Sequence, residues 1–254
     1  MSAGERFYTA IQKLGAHPRP KRLRFYLEHQ FLRGIDIVGK RILDVGGGYG
    51  LYALYCITHG ASEVVVLEPQ LAGSRSDTQA MFEALVEAIR PERPIRLVPE
   101  VVEEFVATEG DSFDIILMHN SINHINEEAC AVLDKDAAAR EYYRQFFTHL
   151  ARLSRSGTQL VVADCARRNV FGDLGLRNPL LPSIEWHKHQ SPRLWGQLLE
   201  EVGFKTRCID WTSPNILGKA GRWMLNNALM AYLTMSHFRL VAEYQGEGKG
   251  NVSV

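Results

Sequence analysis

The stretch from Arg41 to Leu54 constrains the fold of this 254-residue chain more than any other. Its first part, Ile42 to Val45, is a short apolar run typical of a buried strand, and the glycine-rich string GGGYG follows, leading into a helical pattern. Glycines in such a turn permit unusual backbone dihedrals and leave no side chain between a ligand and the free N–H groups of the helix. The stretch therefore predicts a strand–turn–helix unit that binds a ligand through its backbone.

The glycine spacing leaves two ligand classes open. The dinucleotide pattern G-x-G-x-x-G/A fails when counted from Gly46, but Gly48, Gly50 and Ala53 satisfy it when it is counted from Gly48. The string from Asp44 to Gly50, D-x-G-x-G-x-G, resembles motif I of the class I S-adenosylmethionine-dependent methyltransferases at every position. That resemblance implies an α/β fold with a seven-stranded, doubly wound, mostly parallel sheet and an antiparallel last strand. It also implies S-adenosylmethionine as the cofactor.

The composition is that of a chain with a sizeable core and balanced charge. Lys plus Arg and Asp plus Glu both number 29, and the resulting net charge of zero argues against a nucleic-acid track as the main partner. A single domain is expected over residues 1–244, followed by a flexible tail at 245–254. Scattered cysteines, the lack of a membrane-length apolar run and the lack of a signal-peptide core predict a reduced cytoplasmic protein.

Residues 1–40 precede the predicted sheet and are expected to form a helical cap. Apolar residues among polar ones predict a helix from Arg24 to Leu32 that lies against the domain. Charge runs are usually solvated faces, but a cap over the cofactor cleft could also direct one arginine towards an anionic substrate. The basic residues of this segment are Arg19, Lys21, Arg22 and Arg24.

Acidic residues follow the next two predicted strands. Ser62 to Glu68 is typical of a strand in a parallel sheet that is covered on both faces, because its valines are continuous. Glu68 ends this strand at the position where a carboxylate accepts hydrogen bonds from ribose hydroxyls, in dinucleotide folds and in methyltransferases alike. After the third strand, Ile95 to Val98, the resemblance places Glu100 and its neighbour Val101 at the adenine. Two further glutamates one helical turn later leave this assignment open.

A string rich in histidine and asparagine follows the fourth predicted strand, Phe113 to Met118. It lies at the carboxyl end of a central strand, where open α/β sheets bind their ligands. Transfer of a methyl group to a hydroxyl requires a base, and histidine suits that role near neutral pH. His119 continues the strand and is interpreted as structural, whereas His124 fits a general base and a structural role equally well. Asn120 is a candidate contact for the acceptor or for the methionine part of the cofactor, and Asn123 for the acceptor.

The chain from 166 to 190 interrupts the alternation of strands and helices and is predicted to be a lid over the acceptor pocket. A loop of this length in a compact domain is usually functional or disordered, and its aromatic residues argue against disorder. Its aromatic, imidazole and guanidinium groups suit an apolar wall, a base and a contact for a carboxylate or phosphate. The candidates are Trp186 for the wall, His187 and His189 as bases, and Arg167 and Arg177 as anion contacts.

No metal ion is expected. The fifth strand, predicted from Gln159 to Ala163 after a helix from Asp136 to Ser154, reaches Asp164. Asp164 is similar in position to a metal ligand of the catechol-type methyltransferases. These enzymes also need an Asp-Asn pair on the next segment, where this chain has ARRN. The two lid histidines do not complete a metal site by themselves.

The end of the chain distinguishes the two ligand classes. A helix is predicted from Ser191 to Val202 and a strand from Phe204 to Trp211. The largely helical segment from Asn215 to Thr234 has a wide apolar face that suits core or lid packing, or a homodimer contact. His237 to Tyr244 then alternates like a strand. The methyltransferase fold has a seventh strand that inserts antiparallel between the fifth and sixth, whereas a dinucleotide dehydrogenase does not require one.

The sequence thus predicts transfer of a methyl group from S-adenosylmethionine to a small-molecule acceptor, with an oxygen nucleophile favoured. The acceptor would attack the methyl carbon opposite the sulfur, accelerated mainly by near-attack geometry and exclusion of water. Two alternatives remain open: an N-methyltransferase, which needs no strong base, and a cofactor-binding but catalytically silent partner protein. The intact acidic residues and the histidine-rich string argue against a silent protein.

Overall fold

The computed structural model describes residues 1–69, 77–212 and 225–246. Seven strands form one sheet, and they are β1 Arg41–Val45, β2 Glu63–Leu67, β3 Ile95–Val98, β4 Phe113–His119, β5 Ser154–Cys165, β6 Phe204–Trp211 and β7 His237–Tyr244. Their order in the sheet is β3-β2-β1-β4-β5-β7-β6. β7 runs antiparallel to β5 and β6, and the other neighbouring strands are parallel. The predicted fold class is therefore confirmed.

Helices cover both faces of the sheet, as the continuous apolar strands require. In the described ranges the α-helices are α1 Ala3–Lys13, α2 Pro20–Tyr26, α3 Leu51–Thr58, α4 Thr78–Ile89, α5 Val102–Thr108, α6 Glu127–Val132, α7 Ala137–Arg152, α8 Val170–Asp173, α9 Pro192–Glu200 and α10 Ala228–Leu233. One buried cluster joins the sheet to α1, α2, α3 and α4, and the other joins it to α5, α6, α7 and α9.

Two predicted boundaries differ from the structure by more than two residues. α2 begins at Pro20 rather than at Arg24, because proline fits the first helical turn, and it continues as a π-helical turn over Leu27–Phe31. β5 begins at Ser154, where a longer helix was predicted, because this residue pairs with Phe113 of β4. Pairing with a distant strand overrides the local helical pattern there.

The N-terminal helices are fastened to the sheet by Arg239 of β7. Its buried guanidinium donates hydrogen bonds to the backbone oxygens of Phe31 and Arg33, each at 2.7 Å, and pairs with Asp210 at 3.0 Å. A cation at the last carbonyls of a helix stabilises the helix terminus. Because Arg239 lies near the start of an antiparallel strand, it holds these helices beside the carboxyl ends of the parallel strands.

Part of the predicted C-terminal helix lies outside the described residues, since only 225–234 of the segment 215–234 is described. The tail beyond 246 also lies outside them. Within the described ranges, no helix has the length and apolar character needed to cross a membrane.

Candidate active site

The glycine turn after β1 has the open geometry that its sequence predicts. Gly46, Gly48 and Gly50 have φ angles of 67°, 54° and 72°, in the left-handed region that favours glycine. A Cβ atom at Gly46 would lie 2.5 Å from Cβ of Ser121, and one at Gly50 would lie 2.9 Å from the ring of Phe82. At Gly48 no atom lies within 4 Å of such a Cβ position. The turn is thus packed from behind and open at Gly48, where a ligand can approach.

Asp44 lies buried beneath this turn. A Cβ atom at Gly47 would be 2.7 Å from Asp44 Oδ2, so the carboxylate and the turn are in direct contact. Neither carboxylate oxygen makes a well-formed hydrogen bond to the described residues. Burial raises the pKa of Asp44 to about 7; the backbone N–H of Ala53 opposes this rise, and the charge of Glu68 adds to it.

Glu68 faces the same turn from the end of β2. Its Oε2 accepts a hydrogen bond of 2.8 Å from the N–H of Gly48, and its own N–H donates to Val98 at the end of β3. Glu100 and Val101 follow Pro99 after β3, at the same edge of the sheet. The predicted cofactor residues thus lie along the carboxyl ends of β1, β2 and β3, except Asn120, which follows β4.

A cavity of about 860 Å³ lies next to them, at the carboxyl ends of β4 and β5 and the amino end of β7. Residues from α2 and from the 166–190 insertion complete its walls. Four of the predicted site residues line it: Asn120, Asn123, His124 and His189.

The other predicted insertion residues do not line this cavity. Arg167 binds the Ala131 carbonyl at 3.0 Å and Asp134 at 3.3 Å, and Arg177 donates to the Pro182 carbonyl at 2.9 Å. The ring of Trp186 packs against Gly172 inside the insertion, 2.5 Å from the position that a Cβ atom of Gly172 would occupy. His187 is exposed. The acceptor-binding and base roles of these four residues stay predictions.

His189 is oriented by a buried carboxylate. Its Nδ1 lies 3.1 Å from Oδ1 of Asp164, and the two side chains are only 12% and 3% exposed. The N–H of Cys165 also donates to Oδ1, at 2.6 Å, whereas Oδ2 has no partner among the described residues. We assign the proton to Nδ1, because Asp164 accepts there, and this leaves Nε2 as a proton acceptor. Histidine and aspartate in this arrangement suit general-base catalysis.

His124 has a comparable partner at the rim of the cavity. Its Nδ1 lies 2.7 Å from Oε1 of Glu127, but its side chain is 60% exposed. Hydrogen bonds from Lys188 and His124 hold the pKa of Glu127 below its usual value. A solvated pair of this kind is less strongly oriented than the buried one at His189.

Two further histidines in the cavity wall are neutral. His119 Nε2 lies 2.8 Å from the hydroxyl of Tyr26 and 3.2 Å from that of Tyr52. His237 Nδ1 lies 2.6 Å from Oγ1 of Thr212. Burial lowers the pKa of His119 to about 3 and that of His237 to about 4. The polar floor of the cavity is therefore built largely from uncharged groups.

Sequence reasoning did not assign a role in the acceptor site to several of these residues: Tyr26, Tyr52, Asp164, Thr212 and His237. One signal was available. An antiparallel β7 must begin where its parallel neighbour β5 ends, and Cys165 is indeed paired with His237. The first residue of β7 was therefore a site candidate as soon as the topology was predicted. The tyrosines gave no comparable signal, because their apolar rings fit the helix pattern.

The order of the strands, the glycine turn after β1 and the carboxylate at the end of β2 together define a class I S-adenosylmethionine-dependent methyltransferase. Comparison with known families agrees, since a family model described as a methyltransferase domain matches residues 16–209. The chain belongs to this methyltransferase family. Its cofactor is S-adenosylmethionine, as predicted.

Individual relatives are distant. The chain is 27% identical over 205 residues to the tRNA U34 carboxymethyltransferase of Ectopseudomonas mendocina (strain ymp), covering 78% of this chain and 56% of that protein. The chain thus spans little more than half the length of this relative. Two solved methyltransferase structures share the fold. The methyltransferase from Aquifex aeolicus aligns with a TM-score of 0.57 at 13% sequence identity, and the alignment covers 91% of this chain and 97% of that one. The methyltransferase from Mesorhizobium loti aligns with a TM-score of 0.54 at 16% sequence identity, and the alignment covers 91% of this chain and 99% of that one.

Proposed function

We propose that this methyltransferase methylates an oxygen nucleophile of a small-molecule acceptor, with His189 as the general base. The observation that carries the proposal is the buried pair of His189 and Asp164 in the wall of the cavity. Of the three candidate bases, His189 alone combines a place in that wall with a buried carboxylate partner. We assign no role in proton transfer to His124 or His187.

The residues around the glycine turn fit S-adenosylmethionine. Gly48 faces open space, so the backbone can be approached closely, and Glu68 lies beside it as an acceptor for ribose hydroxyls. Glu100 and Val101 are proposed to contact the adenine, and Asn120 the methionine part. The bound cofactor supplies an electrophilic methyl group on a sulfonium centre.

The residues of the chain then have to position the acceptor and accept its proton. His189 Nε2 takes the proton of the acceptor hydroxyl as the oxygen–methyl bond forms and the sulfur–methyl bond breaks. Asp164 stabilises the imidazolium that results, and the proton passes to solvent afterwards. The neutral groups of His119, Tyr26 and Tyr52 suit a reaction in which the sulfonium loses its charge, because fixed anions there would stabilise the ground state more than the transition state.

A small acceptor is supported by the bounded cavity of about 860 Å³ and by the zero net charge of the chain. The named relative makes a uridine of tRNA the second candidate acceptor. N-methylation would use the same site without need of a base. We place the protein in the cytoplasm, where the four cysteines, all free thiols, would remain reduced.

The test compares S-adenosylhomocysteine release by wild type, His189→Ala, Asp164→Asn and His124→Ala across pH, with candidate small molecules and with bulk tRNA. We expect His189→Ala to lower kcat at saturating acceptor by about 100-fold or more, the usual contribution of a general base. His187→Ala, which alters an exposed residue outside the cavity wall, is the matched control and should retain the wild-type rate.

Full activity of His189→Ala at every pH would contradict a base at this position. Turnover with tRNA alone would contradict the small-molecule acceptor. Binding of S-adenosylmethionine without turnover on any acceptor would favour the silent protein.

A further inference from the structure

We propose that the acceptor carries an anionic group, a carboxylate or a phosphate, and that Arg19 and Arg22 bind this group in the cap-side wall of the cavity. This inference rests on the proposed function, since it names the substrate class of the same site. It also assigns a binding role to two arginines of the N-terminal basic cluster, which sequence reasoning left between a solvated face and a substrate contact.

The charges of the cavity wall lead to these two residues. Lys188 is neutralised by Glu127 at 2.9 Å and Glu185 at 2.6 Å, and Asp164 is engaged by His189. The guanidinium groups of Arg19 and Arg22 make no hydrogen bond or ion pair with the described residues, although both lie in the wall. They are therefore available to an anionic group, which arginine binds through paired N–H donors.

Their neighbours in the basic cluster behave differently. Arg24 pairs with Glu28 at 2.8 Å. Lys21 is exposed, as Arg19 and Arg22 are, but unlike them it does not line the cavity. Only part of the cluster thus faces the cavity, and Lys21 provides a matched control on the same helix.

Helix geometry places Arg22 above the floor of the cavity. Arg22 precedes Tyr26 by one helical turn, so these two side chains share one face of α2, and Arg19 is the residue directly before the helix. With a rise of about 1.5 Å per residue, Arg22 lies roughly 6 Å along the axis from Tyr26. The Tyr26 hydroxyl contacts His119, which lies at the end of β4. An acceptor could therefore present its hydroxyl at the strand ends and its anionic group to the arginines.

Two buried oxygen atoms at the floor independently indicate a ligand. Asn123 and Asp164 line the cavity and are 2% exposed, and Asn123 Oδ1 and Asp164 Oδ2 have no hydrogen-bond partner among the described residues. Buried acceptors without donors are costly, and a bound N–H or O–H group would satisfy them. The single proton of the acceptor hydroxyl passes to His189 in the proposed reaction, so the donors to these two oxygens are other N–H or O–H groups of the bound ligands. The site as a whole fits a compound with a hydroxyl at one end and an anionic group at the other.

The cofactor has a carboxylate of its own, which is the competing occupant for the arginines. The glycine turn and Glu68 lie outside the wall of this cavity, so the adenosine end of the cofactor binds elsewhere. The experiment must therefore separate binding of the cofactor from binding of the acceptor.

We would measure binding by calorimetry to protein saturated with S-adenosylhomocysteine. The probes are inorganic phosphate and three hydroxy acids, 4-hydroxybenzoate, 4-hydroxyphenylacetate and 4-hydroxycinnamate. Each hydroxy acid is compared with its own uncharged amide. We expect phosphate to bind to wild type, or at least one hydroxy acid to bind tenfold more tightly than its amide. Arg19→Ala and Arg22→Ala should each weaken anion binding about tenfold, without changing the affinity for the amides. Lys21→Ala should bind every probe like wild type.

Equal binding of acids and amides, with no binding of phosphate, would overturn the proposal, as would unchanged anion affinity in both arginine variants. Weaker binding of S-adenosylmethionine itself by those variants would assign the arginines to the cofactor carboxylate and would also overturn it. Displacement of the bound anion by bulk tRNA, together with methylation of that tRNA, would assign them to an RNA backbone.

The proposed function can fail separately. His189→Ala should leave anion binding intact while lowering turnover about 100-fold or more. If anion binding depends on the arginines but turnover does not depend on His189, only the catalytic proposal is wrong.

Discussion

Asp44 shows at the level of a single residue how a ligand site conflicts with stability. Burial raises its pKa from 3.8 to about 7, so the folded chain holds this proton more tightly than the unfolded chain does. The favourable contribution of the protonated Asp44 to the free energy of unfolding is complete below the pKa of the unfolded chain. It is lost as the pH rises from about 3.8 through 7. At neutral and alkaline pH the cofactor-free protein therefore carries an unfavourable buried carboxylate.

Asp44→Asn should consequently stabilise the cofactor-free protein, by on the order of 2 kcal/mol at pH 8 and by less at pH 5. The same change should weaken S-adenosylmethionine binding about tenfold, since the carboxylate lies directly beneath the glycine turn. Urea unfolding at both pH values and calorimetric titration would measure the two effects. A variant that is less stable than wild type at pH 8 would show that the buried Asp44 carboxylate does not destabilise the cofactor-free protein.

Glu68 allows a second prediction at this scale. Its carboxylate already accepts the N–H of Gly48, so it is held beside the turn before a ribose arrives. Glu68→Ala should weaken S-adenosylmethionine binding about tenfold, or roughly 1.4 kcal/mol, in calorimetry. The exposed Glu87 of α4 provides a control, since Glu87→Ala should bind like wild type. Titration with NAD should give no signal for any of these proteins.

At the scale of elements, the cap helix α2 and the helix α3 after the glycine turn meet at His119. Tyr26 of α2 and Tyr52 of α3 both direct their hydroxyls at His119 Nε2. Because His119 is neutral, one tyrosine can donate to this nitrogen. The contact links the cap, which carries Arg22, to the end of β4.

Tyr26→Phe should destabilise the protein by about 1 kcal/mol, because a partly buried hydrogen bond to His119 is lost. It should also raise KM for the acceptor severalfold while leaving S-adenosylmethionine affinity close to wild type. Tyr8→Phe is the matched control, since the buried hydroxyl of Tyr8 in α1 has no partner among the described residues and its removal should cost nothing. Equal effects of the two substitutions, measured by urea unfolding and steady-state kinetics, would argue against a specific role for the Tyr26 contact.

At the scale of the whole molecule, buried histidines couple stability to pH. Burial lowers the pKa of His119 to about 3 and of His237 to about 4, below the value of 6.5 of an exposed histidine. The unfolded chain therefore binds these protons first as the solution becomes acidic. Their contribution to stability is complete above about pH 6.5 and is lost as pH falls towards 4 and 3. Asp44 acts in the opposite direction over much of this range.

The free energy of unfolding should accordingly decrease as the pH falls from 6.5 to 4.5. The decrease should be steeper in Asp44→Asn, because this variant lacks the carboxyl group that acts in the opposite direction. His237→Gln keeps a polar partner for Thr212 and removes one of the titrating imidazoles, so its decrease should be shallower. Urea unfolding at half-unit pH intervals would measure the slopes. Identical slopes for wild type and His237→Gln would show that this histidine is not the cause.

Much of the fold was predictable because its signals are local in the sequence. The glycine spacing after β1, the valines of β2 and the alternation in β7 each determine an element from neighbouring residues. The bounds predicted for β3, β6 and β7 agree with the structure. The start of β5 was wrong because its first residue is decided by pairing with β4, far away in the chain.

For the site, the sequence by itself determined the family, the cofactor and the turn that faces it. Motif I acts through backbone geometry within one strand–turn–helix unit, and the alternation in β7 separates the methyltransferases from the dinucleotide-binding proteins. Only the tertiary structure distinguished the three candidate histidines, since the partner of each is set by packing. It buried Asp164 beside His189, left His187 exposed and placed Arg19 and Arg22 in the same wall. These contacts join residues that are distant in the chain, and no local pattern encodes the distances between them.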